Sequence, residues 1–353
     1  DEATLLDRTA PTITVLGDAH LLNFGVFRGP DGEPHFGPND FDQSGPGSPE
    51  LDLARLAVSV ELLAREEGFG KKAERRLLEE LGQHYVKELS RLAQRGEIKP
   101  PHLSASEADG PIKRRIEKAA RVDRAAFLAK LTDPPHTHFR HDEEVRPISN
   151  AERAGVIRAL APYSKRLAPD VLVALPLEVL DVAEKLGSGG SSLGLKRFRV
   201  LVAARAPDAL PLVLELKALL PATLAGETEG ARGDASRVPG RKTLLTGLRD
   251  PLTGWIAFDA GTMLVREYEP EKAKLTSKDL DTKEELVDIA EQVAELLARC
   301  HARDPSAARA LRDWVGEDAP RLFKRLASFA ERYADQVEQD HRAFLRGGPT
   351  GDG

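Results

Sequence analysis

The sequence predicts an α+β fold of two lobes, with a small β-rich lobe set between two helical stretches of a larger one. Three observations carry that expectation. At 353 residues the chain exceeds what one hydrophobic core usually serves. Apolar residues recur at helical spacing toward both ends, whereas β-type runs concentrate between 181 and 269. Residues able to do chemistry fall into two matching groups, one within 17–42 and one within 187–217. The expected boundaries are 1–180 for the first part of the large lobe, 181–270 for the small lobe, and 271–353 for the second part of the large lobe.

Each element follows from local pattern. Residues 12–16, Thr-Ile-Thr-Val-Leu, are short and β-branched, which predicts a buried strand ending at Gly17. Residues 26–41 alternate apolar pieces with Gly, Pro and Asp, as a hairpin does. From Glu50 to about Glu67, Leu51, Leu53, Leu56, Ala57, Val60 and Leu63 approximate helical spacing. Further helices are expected over Lys71–Arg95 and Pro111–Leu131. Ser149-Asn150-Ala151-Glu152 is a capping box, in which Ser and Glu satisfy exposed backbone donors, and it predicts a helix to about Arg166. β-type runs follow at Phe198–Ala203, Leu212–Leu216, Trp255–Phe258 and Thr262–Tyr268. The Gly-rich, charged stretch 225–241 between them reads as loop. Past Lys283, Leu286, Ile289, Ala290, Val293, Leu296, Leu297 and Cys300 form one apolar stripe. Leu322, Phe323, Leu326, Phe329 and Tyr333 do the same for a last helix over 320–345, and the end at 347–353 reads as frayed.

Composition narrows the function. A net charge of −6 argues against a dedicated nucleic-acid binder, and Lys113, Arg114, Arg115 and Lys118 read as a solvated helix face. The single Cys300 excludes an intrachain disulfide and an all-cysteine metal site, and it fits a reducing, cytoplasmic setting. No apolar run reaches about 18 residues, so no membrane span or membrane partner is expected.

The chemistry concentrates in Gly17-Asp18-Ala19-His20-Leu21-Leu22-Asn23 and Asn39-Asp40-Phe41-Asp42. Phosphoryl transfer from ATP needs a carboxylate near the acceptor hydroxyl and further oxygens for magnesium. Mg²⁺ keeps several waters, so an Asn and one or two Asp suffice. Asp18 and Asn23 match the Asp and Asn of a kinase catalytic loop in spacing. Asp18 is the expected base, Asn23 and Asp40 the expected magnesium ligands, and Asp42 a second carboxylate. His20 is a candidate beside Asp18, with shaping the loop its more expected role. Asp52, in the first turn of the next helix, is expected to brace the loop. The competing reading is that Gly, Asp and Asn merely make turns.

A nucleotide-binding half must lie downstream. Gly187-Ser188-Gly189-Gly190-Ser191-Ser192 reads as a Gly-rich hairpin whose N–H groups approach phosphates. Lys217, ending the strand Leu212–Lys217, would neutralise those phosphates. Arg266-Glu267-Tyr268 is the expected hinge that binds adenine through its backbone. In a conventional kinase the nucleotide-binding half comes first. Here it comes second, which implies a circularly permuted, protein-kinase-like two-lobe fold.

Taken together, Gly17–Gly25, Asn39–Asp42, Asp52–Leu56, Gly187–Gly194, Leu214–Lys217, Val265–Pro270, Ala298–Arg303 and Tyr333–Gln336 resemble the domain-of-unknown-function 2252 family over nearly the whole length. One departure bears on the chemistry. Where that family often shows R-V-V-E-G, this chain has Arg237-Val238-Pro239-Gly240-Arg241, which leaves Glu215, Glu227 or Glu229 as the acid to pair with Lys217. The expected function is an ATP- and magnesium-dependent phosphotransferase acting on a small-molecule hydroxyl. AMP transfer from the same site, a nucleotide-binding pseudokinase and a metal-dependent hydrolase are the alternatives. The acceptor and the oligomeric state are left open by the sequence.

Overall fold

The computed structural model describes residues 9–29, 31–95, 99–187, 194–206, 209–222, 233–280, 282–316 and 319–347. The chain opens with β1 (Ile13–Val15), the hairpin β2 (Phe24–Arg28) and β3 (Pro34–Pro38), and β4 (Gly45–Gly47), which pairs antiparallel with β1. Four helices follow: α1 (Pro49–Glu66), α2 (Lys71–Arg95), α3 (Gly110–Ala119) and α4 (Arg124–Leu131). A short hairpin of β5 (Thr132–Asp133) and β6 (His138–Phe139) leads to β7 (Val145–Pro147), α5 (Asn150–Ser164) and α6 (Pro169–Ala174). Then come β8 (Val179–Lys185), β9 (Arg197–Val202), β10 (Leu212–Ala218), α7 (Val238–Thr246), β11 (Gly254–Phe258), β12 (Gly261–Glu267) and β13 (Ala273–Lys274). Helices α8 (Glu285–His301), α9 (Pro305–Val315) and α10 (Ala319–Gly347) complete a mixed α+β chain.

Alternation along the strands explains the main sheet. It is antiparallel, in the order β11-β12-β10-β9-β8-β7. Phe198, Val200, Leu214, Leu216, Met263 and Val265 point to one face and pack with Val156, Leu160 and Tyr163 of α5. The residues between them, Arg197, Arg199, Glu215, Lys217 and Arg266, turn to the other face. Arg199, Glu215 and Lys217 are nevertheless buried, which charges tolerate only when paired. A second, larger core joins Val15, Phe24 and Phe36 to Leu53, Leu56, Leu77, Leu81, Leu286, Ile289, Val293 and Leu326 of α1, α2, α8 and α10. Phe24 and Phe36 are fully enclosed, each worth about 1.5–3 kcal/mol of transfer free energy. This core holds the β1–β4 segment against α1, with its loops facing the charged side of the main sheet.

Two expectations need correction, and one further helix, α9, goes unpredicted. The helix over 111–131 is two, because Asp123 accepts hydrogen bonds from the N–H groups of Ala125 and Ala126 and starts α4 afresh. The stretch 235–241 is not loop: a 3-10 turn at Ala235–Arg237 feeds α7. Pro239 is harmless in a first turn, and Gly247, at φ +71°, terminates the helix. Helix α9 carries a start signal that periodicity passes over, since Asp304 accepts from the N–H groups of Ser306 and Ala307 just ahead of Pro305. The expected frayed end lies outside the described residues from 348 onward.

Candidate functional site

The loop after β1 is shaped by glycine and by Asp52. Gly17 sits at φ +77°, and a Cβ there would stand 2.1 Å from the Gln43 carbonyl oxygen, so only glycine fits. Asp52 is fully buried near the start of α1 and accepts from the N–H groups of Leu16 at 2.7 Å and Gly17 at 2.8 Å. The bracing role expected of Asp52 is therefore present. The chain then tightens: the His20 N–H donates to Asp18 O, the Asn23 N–H to His20 O, and Asn23 Nδ2 to Asp18 O at 2.8 Å.

Asp18 Oδ1 is gripped by Arg55, through Nε at 2.9 Å and Nη2 at 2.5 Å. His20 Nε2 stands 3.6 Å from Asp18 Oδ2, too far for a hydrogen bond. Burial lowers the His20 pKa, against the raising influence of Asp18.

The second acidic pair meets the main sheet. Lys217 Nζ bonds to Asp42 Oδ2 and lies 3.9 Å from Asp40 Oδ2. Asp42 Oδ1 is buried with no hydrogen-bond partner among the described residues. Burial works to raise Asp40, but Lys217, Arg266 and Lys272 outweigh it and hold this carboxyl well below the usual range. Burial and the neighbouring Asp40 push Asp42 upward instead, against Lys217 and Arg266. Two adjacent acids with pKa values driven apart are a hallmark of functional sites.

Among the described residues the acid that faces Lys217 is Asp42. Glu215 is occupied by Arg266 at 2.6 Å and Arg197 at 3.0 Å. Although burial raises Glu215, those two guanidiniums bring it down to about 2. Glu227 and Glu229 lie outside the described residues. In place of an acid, the Arg237–Arg241 segment brings arginines to the backbone of the acidic loop: Arg237 donates to Asp42 O at 2.6 Å and Ser44 O at 3.0 Å, and Arg241 to Ser44 O.

The expected hinge divides. Arg266 enters the site, Glu267 pairs with Arg124 of α4, and Tyr268 accepts from Arg199, whose guanidinium stacks 4.4 Å over its ring. The Tyr268 N–H donates to Val213 O, and pairing with β11 stops at Val265, so among the described residues one backbone edge of 266–268 has no sheet partner. Of the Gly-rich hairpin, Gly187 and Gly194 adopt positive φ, and Ser188, Gly189, Gly190, Ser191 and Ser192 lie outside the described residues. Leu195 and Arg197, just beyond it, border the site.

Together these groups line a cleft of about 590 Å³ between the β1–β4 segment and the charged face of the main sheet. Asp18, His20, Asn23, Asp40, Asp42 and Lys217 converge there, joined by the Arg266 side chain from the expected hinge. Arg55, Arg197, Lys272 and Lys274 join them unforeseen, so six cationic side chains face three aspartates among the lining residues. Arg55 had a signal in the sequence, three residues after Asp52 on the same helix face. Lys272 had none. Its pKa falls to about 8, mainly through burial and the nearby Arg266. Among the described residues no group of three or more His, Cys, Asp and Glu is arranged as a metal cage. The donor set fits magnesium of the kind that keeps waters and shares phosphate oxygens: an orphaned carboxylate oxygen on Asp42, an ionised Asp40, and the Asn23 amide.

Comparison with known proteins adds one finding. The profile of a family described as "uncharacterized protein conserved in bacteria (DUF2252)" matches residues 2–347. No curated protein and no solved structure matches the chain.

Proposed function

The chain belongs to the DUF2252 family, and from that premise and the cleft we propose that it is an ATP- and magnesium-dependent phosphotransferase with a circularly permuted, kinase-like two-lobe architecture. One observation carries the reading. Lys217 from β10 and Asp42 from the acidic loop, 175 residues apart in sequence, meet in a cleft where six cations surround three carboxylates. Carboxylates alone would suit a hydrolase metal site. Six cations against three lining carboxylates favour a polyanion such as a triphosphate, although several of them already pair with acids. The main sheet with β7 and α5, which precede the expected boundary at 181, would form the nucleotide-binding lobe, and the β1–β4 segment with α1, α2, α8 and α10 the other.

Each residue then has a task. Arg55 holds Asp18 Oδ1, which leaves Oδ2 to take the proton of an acceptor hydroxyl. Lys217 exchanges Asp42 for phosphate oxygens, with Arg266 and Lys272 alongside. Asn23, Asp40 and Asp42 are the residues that would hold magnesium, which when bound neutralises phosphate charge. Transfer of AMP from the same cleft is separated from phosphoryl transfer by the mass added to the product. Titration calorimetry of Mg–ATP against the wild type and Lys217→Ala tests the reading. Binding by the wild type and loss in the variant are expected, and absence of binding by the wild type would overturn it. Magnesium and ATP bound with no turnover of any acceptor, and none lost on Asp18→Ala, would instead leave a nucleotide-binding pseudokinase.

A further inference from the structure

A second cavity, of about 620 Å³, opens beside the cleft and shares His20, Leu22 and Arg55 with it. One wall is a single face of α1, where Leu51, Ala54, Val58 and Leu62 recur at helical spacing. Leu275, Leu280, Ile289 and Phe329 close the other side. Phe329 stacks on Tyr333 with ring centres 5.3 Å apart. Leu22 and Tyr333 remain 45% and 43% exposed, so large side chains border the opening without being packed away.

Polar groups sit mainly toward the ends. Arg55 lies at the Asp18 end and Glu66 at the other, about 16 Å along the helix. Between them α1 offers only Ser59, and its hydroxyl is already engaged, accepting from the Leu21 N–H at 3.1 Å and donating to Leu56 O at 2.8 Å. A polyhydroxylated sugar would lose its water along this wall and find few partners in exchange. An apolar body would not.

We infer that this cavity is the acceptor site, and that the acceptor is an amphipathic alcohol whose apolar ring or chain lies along α1 with its hydroxyl beside Asp18. The transfer step rests on the phosphotransferase reading, whereas occupancy of the cavity does not. In that step the hydroxyl proton passes to Asp18 and the freed oxygen bonds to the γ-phosphorus of ATP. The bond from that phosphorus to the β-phosphate bridging oxygen breaks, and ADP leaves with the electron pair.

Binding of a phenyl-terminated hexanol and of glycerol to the full chain, followed by ligand-observed NMR with and without Mg–ATP, tests this. The wild type should bind the alcohol and ignore glycerol. Leu62→Trp, which fills the cavity, and Tyr333→Ser, which strips its rim from an exposed position, should each weaken the alcohol about tenfold. Both should leave thermal stability and Mg–ATP affinity in place. Unchanged alcohol binding in both variants, preference for glycerol, or no alcohol binding would overturn the inference. A dimer that Tyr333→Ser dissolves, with no alcohol binding, would assign the face to a second copy and overturn it too. Alcohol binding without Mg–ATP binding would sink the phosphotransferase reading and leave the cavity's specificity standing. Mg–ATP binding without alcohol binding would do the reverse.

Discussion

His301 Nε2 lies 3.0 Å from Asp52 Oδ2, and neither side chain has any exposed surface. The carboxylate of Asp52 thereby receives three donors, two from the loop that presents Asp18 and one from α8. Tyr85 of α2 completes the chain by bonding to His301 Nδ1 at 2.8 Å. A proton on Nε2 lets the ring donate to Asp52 and accept from the Tyr85 hydroxyl at Nδ1, which satisfies every member. The loop is thus tied to the helical core through buried hydrogen bonds.

Removing the centre of this network is expected to cost more than removing its edge. Asp52→Ala leaves two backbone N–H groups and the Nε2 of His301 unpartnered, at about 1–3 kcal/mol for each buried group. His301→Ala leaves Asp52 its two backbone donors and should cost about 2 kcal/mol, mostly as a cavity. Urea unfolding compares the two. Equal losses, or a loss below about 1 kcal/mol for Asp52→Ala, would show that the loop holds its shape without this brace.

The Lys217–Asp42 pair predicts a non-additive cycle. Both side chains are largely enclosed, at 9% and 13% exposure, so removing one strands the other's charge. Lys217→Met alone should cost about 3–5 kcal/mol. Adding Asp42→Asn should restore most of that loss, because the excess negative charge beside Asp40 disappears. Stability measured for the two singles and the double decides the matter, and simple addition would show that the pair is not coupled.

How legible this was in the sequence depends on how far apart the partners lie. Asp18 with Asn23, and Asp40 with Asp42, stood out because each pair lies within a few residues in a short motif. Helices α1, α2, α5, α8 and α10 were readable because each has a long apolar stripe or a capping signal of its own. Helix α7 was obscured by Pro239 and Gly240, which break a helix interior but not its first turn. His301 was unreadable as a brace because its partner lies 249 residues away and its neighbour Cys300 gave the segment an ordinary core pattern. Lys272 belongs with His301, since only the assembled fold puts it beside Arg266 and Asp40.

Lys272 should leave a mark on stability against pH. Its folded-state value of about 8 lies below the ~10.4 of an unfolded lysine. Between those values the unfolded chain holds the proton and the folded chain does not, so this residue's contribution to stability rises as pH climbs through that window. Below pH 8 the charged side chain is a standing cost, at most about 3 kcal/mol. Lys272→Met should therefore be more stable than the wild type at pH 7, with the difference shrinking toward pH 10. Denaturation midpoints across that range test it, and a pH-independent difference would remove the titration of Lys272 from the explanation. Phosphate entering the cleft should raise the value again, seen as proton uptake when Mg–ATP binding is measured near pH 8 in buffers of differing ionisation heat.

Arg55 separates a positioning role from a structural one. Its side chain is half exposed, and ion pairs in such settings contribute at most about 1 kcal/mol to stability. Its two nitrogens on Asp18 Oδ1 nevertheless fix the direction in which the other carboxylate oxygen faces the cleft. Lysine keeps the charge but cannot make that two-point grip. Arg55→Lys is expected to melt within a few degrees of the wild type and to bind Mg–ATP equally well. The slow ATP hydrolysis expected of the proposed phosphotransferase, with water standing in for the acceptor, should fall by about tenfold or more in this variant, a loss of transition-state positioning worth ~1.4 kcal/mol. A variant that melts far lower would make Arg55 a structural residue. One that turns over at the wild-type rate would mean that Asp18 needs no orienting partner.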